Sequence, residues 1–290
     1  MNIKGKTILL TGASGGIGQA IAIRLHKHQA KLILVGRNFK KLEAVNEMIG
    51  NNHQIICADL SQTDGRNKLV SYCESLTHID ILINNAGVSH FSTFESSSDD
   101  QINQLMNINL LSPMLLTKAL LPMLARPQNS IILNVGSSFG TIGYPCFTTY
   151  CASKFGLKGF SESLKRELQN KSTKVLYIAP RATDTDINST SVNQLNKKLG
   201  NATDTVSVVA DVVIKQLLNE TERVAIGWPE KLFLKVNGLI PSIVDKAIGN
   251  QIKQIMHFAK LSNIGSVVKL TNKSTQQKTM SRITSSATHS

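Results

Sequence analysis

A chain of 290 residues, 41% hydrophobic, can bury one large core, and its formal net charge of +13 is spread unevenly. No apolar run approaches the roughly 20 residues that cross a bilayer, and the four cysteines (Cys57, Cys73, Cys146, Cys151) have neither metal-ligand spacing nor a close redox pair. With no room for a signal peptide between Met1 and the first strand, the expectation is a cytoplasmic protein with reduced thiols and no metal.

Thr7-Ile8-Leu9-Leu10 reads as a short buried strand. Thr11-Gly12-Ala13-Ser14-Gly15-Gly16-Ile17-Gly18 follows at once, and then a helix carrying Ala20, Ile21, Ile23 and Leu25. A glycine-rich turn between strand and helix lets backbone approach a pyrophosphate, whose charge is met by the helix N-terminus. The next strand, Leu32 to Val35, ends at Gly36-Arg37-Asn38. A site for NAD usually has an acidic residue here, for the ribose hydroxyls; Arg37 suits the 2′-phosphate of NADP instead. A helix with Leu42, Val45 and Met48 leads to a third strand, Gln54 to Ala58, ending in Asp59-Leu60. Another helix, Leu69 to Leu76, precedes the strand Ile79 to Ile83, which runs into Asn84-Asn85-Ala86-Gly87. Strands and helices alternating at this length predict a doubly wound, mostly parallel α/β sheet of Rossmann type, with ligands along the strands' C-terminal edge.

Ile131 to Val135 is a further strand, and the pattern from Tyr150 to Leu168 is helical. Tyr150 and Lys154 are four residues apart, so they share one helix face. A free tyrosine, with a pKa of about 10, is a poor acid-base catalyst at neutral pH. An ammonium one turn away favours the phenolate and is expected to bring that pKa down.

With the glycine turn, Asn85-Ala86-Gly87 and Tyr150-x-x-x-Lys154 in this order, the chain resembles the short-chain dehydrogenase/reductase family from about Lys6 to Thr185. The resemblance implies a Rossmann-type domain that moves a hydride between NAD(P) and a carbonyl or alcohol. It implies cofactor contacts from Thr11, Gly12, Ser14, Gly16, Ile17 and Gly18, from Asp59 beside the adenine, and from Asn85, Ala86 and Gly87. It also implies a catalytic asparagine, Asn109, with Asn107 as the competing assignment. Aligning Asn134 and Gly140 without a gap places Gly136 where the family has a first serine and Ser137 at the catalytic second; Ser138 is the runner-up. Tyr150 and Lys154 match the catalytic pair and also touch cofactor. After the sixth strand, Lys174 to Ala179, the resemblance implies cofactor contacts near the nicotinamide and pyrophosphate from Pro180, Thr183 and Thr185, with Arg181 in place of the family's usual glycine.

Asp186 to Asn201 is polar and patternless, as a mobile substrate lid would be; Val206 to Leu218 reads as a helix and Val224 to Gly227 as a last strand. The expected organisation is a catalytic domain over 1–229, an amphipathic helical extension over 230–261 and a basic, disordered tail over 262–290. From Lys231 to Leu261 one helix is predicted, with Ile240, Val244, Ile248, Ile252, Ile255 and Ala259 on its apolar face and Lys246, Lys253 and Lys260 on the other. It either packs on its own domain or a partner subunit, or attaches to anionic lipid. The expected function is an NADP(H)-dependent oxidoreductase acting on a small carbonyl or secondary alcohol, as a homodimer or homotetramer, with peripheral membrane contact and no nucleic-acid partner. A non-catalytic NADP-binding regulator or scaffold and a nucleotide-sugar epimerase or dehydratase are the alternatives.

Overall fold

The computed structural model describes residues 1–228 and 230–262; the predicted tail beyond them lies outside the described residues. Seven parallel strands form one sheet in the order β3-β2-β1-β4-β5-β6-β7. They are β1 (Thr7–Thr11), β2 (Lys31–Gly36), β3 (Gln54–Cys57), β4 (Ile81–Asn84), β5 (Ser130–Val135), β6 (Thr173–Ala179) and β7 (Arg223–Ala225). The central strands are covered on both faces, which is why β4 and β5 are buried at every residue and carry the apolar runs Ile81 to Ile83 and Ile131 to Leu133. One face packs on α1 (Gly16–Lys27), α2 (Phe39–Met48) and α8 (Val206–Asn219), through Ile21, Leu25, Leu42, Val209 and Val213. The other packs on α3 (Thr63–Glu74), α5 (Ser112–Leu124) and α6 (Thr148–Glu167), through Leu69, Leu116, Leu120 and Leu164. The strand order reverses between β1 and β4, so the crevice of a doubly wound sheet opens there. Among the described residues no helix is long and apolar enough to cross a membrane.

Helix α4 (Asp99–Met106) starts from a capping box, Ser98 with Gln101, and a π-helical turn, Asn107–Leu111, joins it to α5. Two stretches depart from the sequence reading. The polar segment after Asp186 contains a helix, α7 (Thr190–Leu199), capped by the Ser189 hydroxyl and closed by Gly200 in the left-handed conformation (φ 69°). Val192 and Leu195 bury one side of it, a stripe too short to show as periodicity.

The extension is not one helix but three. Helix α9 (Glu230–Leu239) stops before Pro241, which has no N–H to continue the ladder; α10 (Pro241–Gly249) and α11 (252–262) follow. The breaks divide the predicted apolar face. Val244, Ile255 and Ala259 are buried, whereas Ile240 and Ile252 are exposed. Ile255 and Ala259 pack against Phe91, Cys146, Phe147 and Cys151, so α11 is docked on the domain.

Candidate active site

The glycine turn and the end of β4 brace one another. The Thr11 hydroxyl donates to the Ile83 carbonyl (3.2 Å) and accepts from the amides of Asn85 (2.9 Å) and Ala86 (3.0 Å). The Asn85 side chain donates to the carbonyls of Thr11 (3.0 Å) and Gly12 (3.2 Å). Thr11 and Asn85 thus hold two strand ends together with side chains that the chain itself occupies. A Cβ on Gly12 (φ 64°) would stand 2.8 Å from the Ala86 Cα, and one on Gly18 would stand 2.1 Å from the Gly12 carbonyl oxygen. The turn closes only with glycine at both places. It ends at Gly15, which caps α1 without a side chain, leaving the first amides of the helix free for an anion. Among the described residues, Gly16 lies beside Thr185, and Ser14 beside Gly36 at the end of β2. Arg37 is exposed one residue further, with Lys40 and Lys41 exposed on the first turn of α2. At the end of β3 the Asp59 carboxylate accepts from the Ser61 amide and hydroxyl.

The helix that carries Tyr150 and Lys154 is fastened to the sheet by a buried polar chain. The Asn84 amide donates to Thr117 (3.2 Å) and to the Asn134 side chain (2.8 Å), which in turn donates to Ser161 on α6 (2.8 Å). Each of these residues is at most 5% exposed, so breaking any link strands a buried polar group. Lys154, itself buried, donates to the Val135 carbonyl at 3.0 Å, and its Nζ lies 5.8 Å from the centre of the Tyr150 ring. Asn109, on the π-helical turn, accepts from the Val88 amide (2.8 Å) and donates to the Val88 carbonyl (2.9 Å) and the Ser153 hydroxyl (3.2 Å). Its oxygen faces Gly87, where a Cβ would meet it at 3.3 Å and the Lys154 Nζ at 3.7 Å.

A cavity of about 430 Å³ runs along this edge, lined by Ile17, Asn85 and Gly87, then Ser137, Tyr150 and Lys154, then Pro180, Thr183 and Thr185. Nine of the residues expected from the sequence therefore share one cavity. Arg37 and Asp59 stand outside its lining at the ends of β2 and β3, Asn109 is buried behind it, and Thr11, Gly12, Ser14, Gly16, Gly18 and Ala86 shape the turn beside it. Sequence reasoning missed the other half of the wall: Val192 and Leu195 from α7, Phe233 from α9, and Val244 and Ile248 from α10. None sits in a motif; Val244 and Ile248 carried only the helical periodicity, which does not say what their face covers.

Burial opposes the expected charge balance of the pair. It pushes the Tyr150 phenol up to about 12 against the lowering pull of the Ser137 hydroxyl, and it brings the Lys154 ammonium down to about 8. Desolvation outweighs attraction here because packing crowds both groups, Lys154 being only 5% exposed, and the ammonium is spent on the Val135 carbonyl. The unusual Gly136 also has a reason. A Cβ there would lie 2.1 Å from the Tyr177 hydroxyl oxygen, which occupies the space a serine would need. Gly136→Ser should therefore lower the melting temperature by several degrees, and the added change Tyr177→Val should recover most of that loss. Additive losses in the double variant, measured by thermal denaturation, would refute the coupling.

Arg181 donates to both oxygens of Asp204 (3.0 and 2.8 Å). That pair ties the end of β6 to the loop after α7, in place of the family's glycine.

A family model described as short chain dehydrogenase matches residues 6–196. The chain belongs to the short-chain dehydrogenase/reductase family. This family assignment makes it an NAD(P)-dependent oxidoreductase. Nodulation protein G of Rhizobium sp. is 36% identical over 197 residues, covering 68% of this chain and 79% of the relative. The 3-oxoacyl-(acyl-carrier-protein) reductase FabG of Rickettsia typhi is 33% identical over 198 residues, with the same coverages of 68% and 79%. Among solved structures, a short-chain dehydrogenase/reductase from Burkholderia phymatum in complex with NAD superposes with a TM-score of 0.75 at 17% identity, covering 84% of this chain and 96% of that one. A metagenomic short-chain oxidoreductase in complex with NADP gives a TM-score of 0.66 at 28% identity, covering 78% and 98%. The short-chain dehydrogenase match ends at 196, so α8 to α11 lie beyond it.

Proposed function

We propose that the chain is an NADP(H)-dependent carbonyl reductase or alcohol dehydrogenase in which Tyr150 exchanges a proton with the substrate oxygen. The observation that carries the reading is the convergence of Ser137, Tyr150 and Lys154 on one cavity that continues to the open N-terminus of α1. The glycine turn and the amides after Gly15 would hold a dinucleotide pyrophosphate, Asp59 would face the adenine, and Pro180, Thr183 and Thr185 would border the nicotinamide. When bound, the nicotinamide supplies or accepts the hydride.

The side chains do the rest. Ser137 donates a hydrogen bond to the substrate oxygen and helps fix it against Tyr150. Tyr150 gives its proton to the substrate oxygen when a carbonyl is reduced and takes one from it when an alcohol is oxidised. Lys154, its Nζ on the Val135 carbonyl and 5.8 Å from the centre of the Tyr150 ring, would hold the nicotinamide ribose. Asn109 holds Val88 and so shapes the wall behind Lys154. Following NADPH absorbance over a panel of ketones, aldehydes and secondary alcohols tests the reading. Consumption with none of them, by protein that binds NADPH, would leave a cofactor-binding regulator as the answer.

Arg37 supports the choice of cofactor, because Arg37, Lys40 and Lys41 offer positive charge and the first acidic residue after them is Glu43. A charge-assisted hydrogen bond contributes about 1.5 to 3 kcal/mol, so NADP(H) should bind roughly 10- to 100-fold tighter than NAD(H). Arg37→Asp should shrink or invert that ratio in a fluorescence titration. Equal affinities in the unmutated protein would refute it.

The exposed apolar side chains Leu111, Met114, Leu115 and Phe155, on the π-helical turn, α5 and α6, support a homodimer or homotetramer. The lysines of the extension support peripheral contact with an anionic membrane.

A further inference from the structure

Among the described residues, eight of the eighteen exposed large hydrophobic side chains fall between Trp228 and Leu261. Only Ile240 and Ile252 of them belong to the face that the sequence pattern picked out; Val244, Ile255 and Ala259 of that face are buried. The outward set lies just before α9 and at its junction with α10: Trp228 is 71% exposed, Leu239 82%, Ile240 52% and Ile243 51%. Exposed apolar residues gathered in this way mark a surface that meets something.

Charge indicates what. Lys235 lies three residues after Leu232 and four before Leu239, hence on their face of α9, and Lys246 follows Ile243 by three on α10. Both lysines are exposed, as are Lys253 and Lys260 on α11, and no acidic residue follows Asp245 in the whole chain. A second copy seated here would face the same lysines across a two-fold axis. The basic residues 263–290 would meet the same repulsion. An anionic lipid surface is complementary on both counts, with apolar tips in the interface and ammonium groups snorkelling to headgroups.

The same rim belongs to the cavity. Phe233 is 40% exposed and also lines it, next to Val244, Ala247 and Ile248. Phe139 and Phe147 continue that wall inward to Tyr150, with ring centres 6.4 and 6.0 Å from the tyrosine ring. An apolar passage therefore leads from the rim to the reacting end. We propose that the rim from Trp228 to Ile243 docks on an anionic lipid surface, and that the cavity takes from the bilayer an uncharged carbonyl compound with a hydrocarbon body. The second half rests on the carbonyl-reductase reading; the docking does not.

Trp228 is the chain's single tryptophan and so reports on its own insertion. The experiment mixes the full chain with phosphatidylcholine vesicles carrying brominated acyl chains, with or without phosphatidylserine, at low and high salt. Bromine should quench Trp228 in the anionic vesicles at low salt. At about 1 kcal/mol per lysine near the surface, the lysines should favour those vesicles by about a hundredfold or more over neutral ones, and salt should erase the preference. The double variant Leu239→Asp, Ile243→Asp should lose the quenching yet keep NADPH affinity, which shows that it is folded. With anionic vesicles present, it should also raise the apparent KM for 2-undecanone about tenfold or more, and leave that for water-soluble 2-butanone unchanged. Absence of quenching, or quenching that survives the variant, overturns the docking. A variant that turns dimer into monomer without lipid assigns the rim to a second copy. Quenching with an unchanged KM for 2-undecanone overturns delivery from the bilayer. If neither ketone is reduced, the reductase reading and delivery fall together, while Trp228 still decides the docking.

Discussion

Tyr150→Phe should lower turnover by roughly 100- to 10,000-fold, the contribution of a correctly placed acid-base group, while NADPH affinity stays within a few fold. The ring is retained, so its edge contacts with Phe139 and Phe147 survive, and only the hydroxyl that would meet the substrate oxygen is removed. A structural defect would instead depress cofactor binding and turnover together. The serines add a sharper comparison, because Ser137 is the hydroxyl that draws the Tyr150 pKa down. Ser137→Ala should cost far more turnover than Ser138→Ala, although both residues line the cavity. Titrating NADPH by fluorescence and measuring kcat on the three variants checks all of this. A fully active Tyr150→Phe enzyme would remove Tyr150 from the chemistry, and an inactive Ser138→Ala enzyme beside an active Ser137→Ala one would transfer the role to Ser138.

Lys154→Met should abolish turnover and at the same time raise the thermal stability of the cofactor-free protein. The ammonium is enclosed and its pKa is brought down from 10.5 to about 8 by burial, so the folded state holds this proton less tightly than the unfolded chain does. In linkage the sign is fixed: between about pH 8 and 10.5 the unfolded state binds more protons, and stability from this group rises with pH. Below pH 8 the whole cost is present, about 3 kcal/mol from a shift of this size. Tyr150 acts in the opposite sense above pH 10, where its raised pKa makes the folded state keep a proton the unfolded chain loses. The gain is therefore read from pH 8 to 10. Methionine fills the same channel without a charge and gives up the hydrogen bond to the Val135 carbonyl, which offsets part of the benefit. The net rise should be a few degrees at pH 7, and the slope between pH 8 and 10 should flatten. Scanning calorimetry of both proteins at pH 7, 8, 9 and 10 tests it; a methionine variant less stable at every pH would show that the lysine's hydrogen bond outweighs its desolvation.

The local rules that made the fold legible are those in which neighbours in sequence decide the outcome. A strand covered on both faces carries an apolar run through its middle, so β1, β4 and β5 could be read directly. A turn that brings a Cβ within 2.1 Å of a carbonyl must be glycine, so Gly18 was legible too. One helical turn places Tyr150 and Lys154 on a common face wherever the helix lies. These patterns were enough for the sheet class and for the edge on which the candidate site lies.

What depended on partners distant in sequence could not be read this way. Asn84, Asn134 and Ser161 look like ordinary polar residues until β4, β5 and α6 bring them within 2.8 Å of one another in pairs. The balance between Tyr150 and Lys154 was misjudged because helical spacing reports proximity, whereas burial, set by every element packed around them, governs both pKa values. Likewise, periodicity along Lys231 to Leu261 offered a single apolar face, but Pro241 breaks the helix there. Docking on Phe91, Cys146 and Phe147 consumes Ile255 and Ala259, and leaves Leu239, Ile240 and Ile243 outside. Which apolar residues face water is a property of the packed molecule, because a helix pattern marks two sides and only the neighbours decide which side is covered.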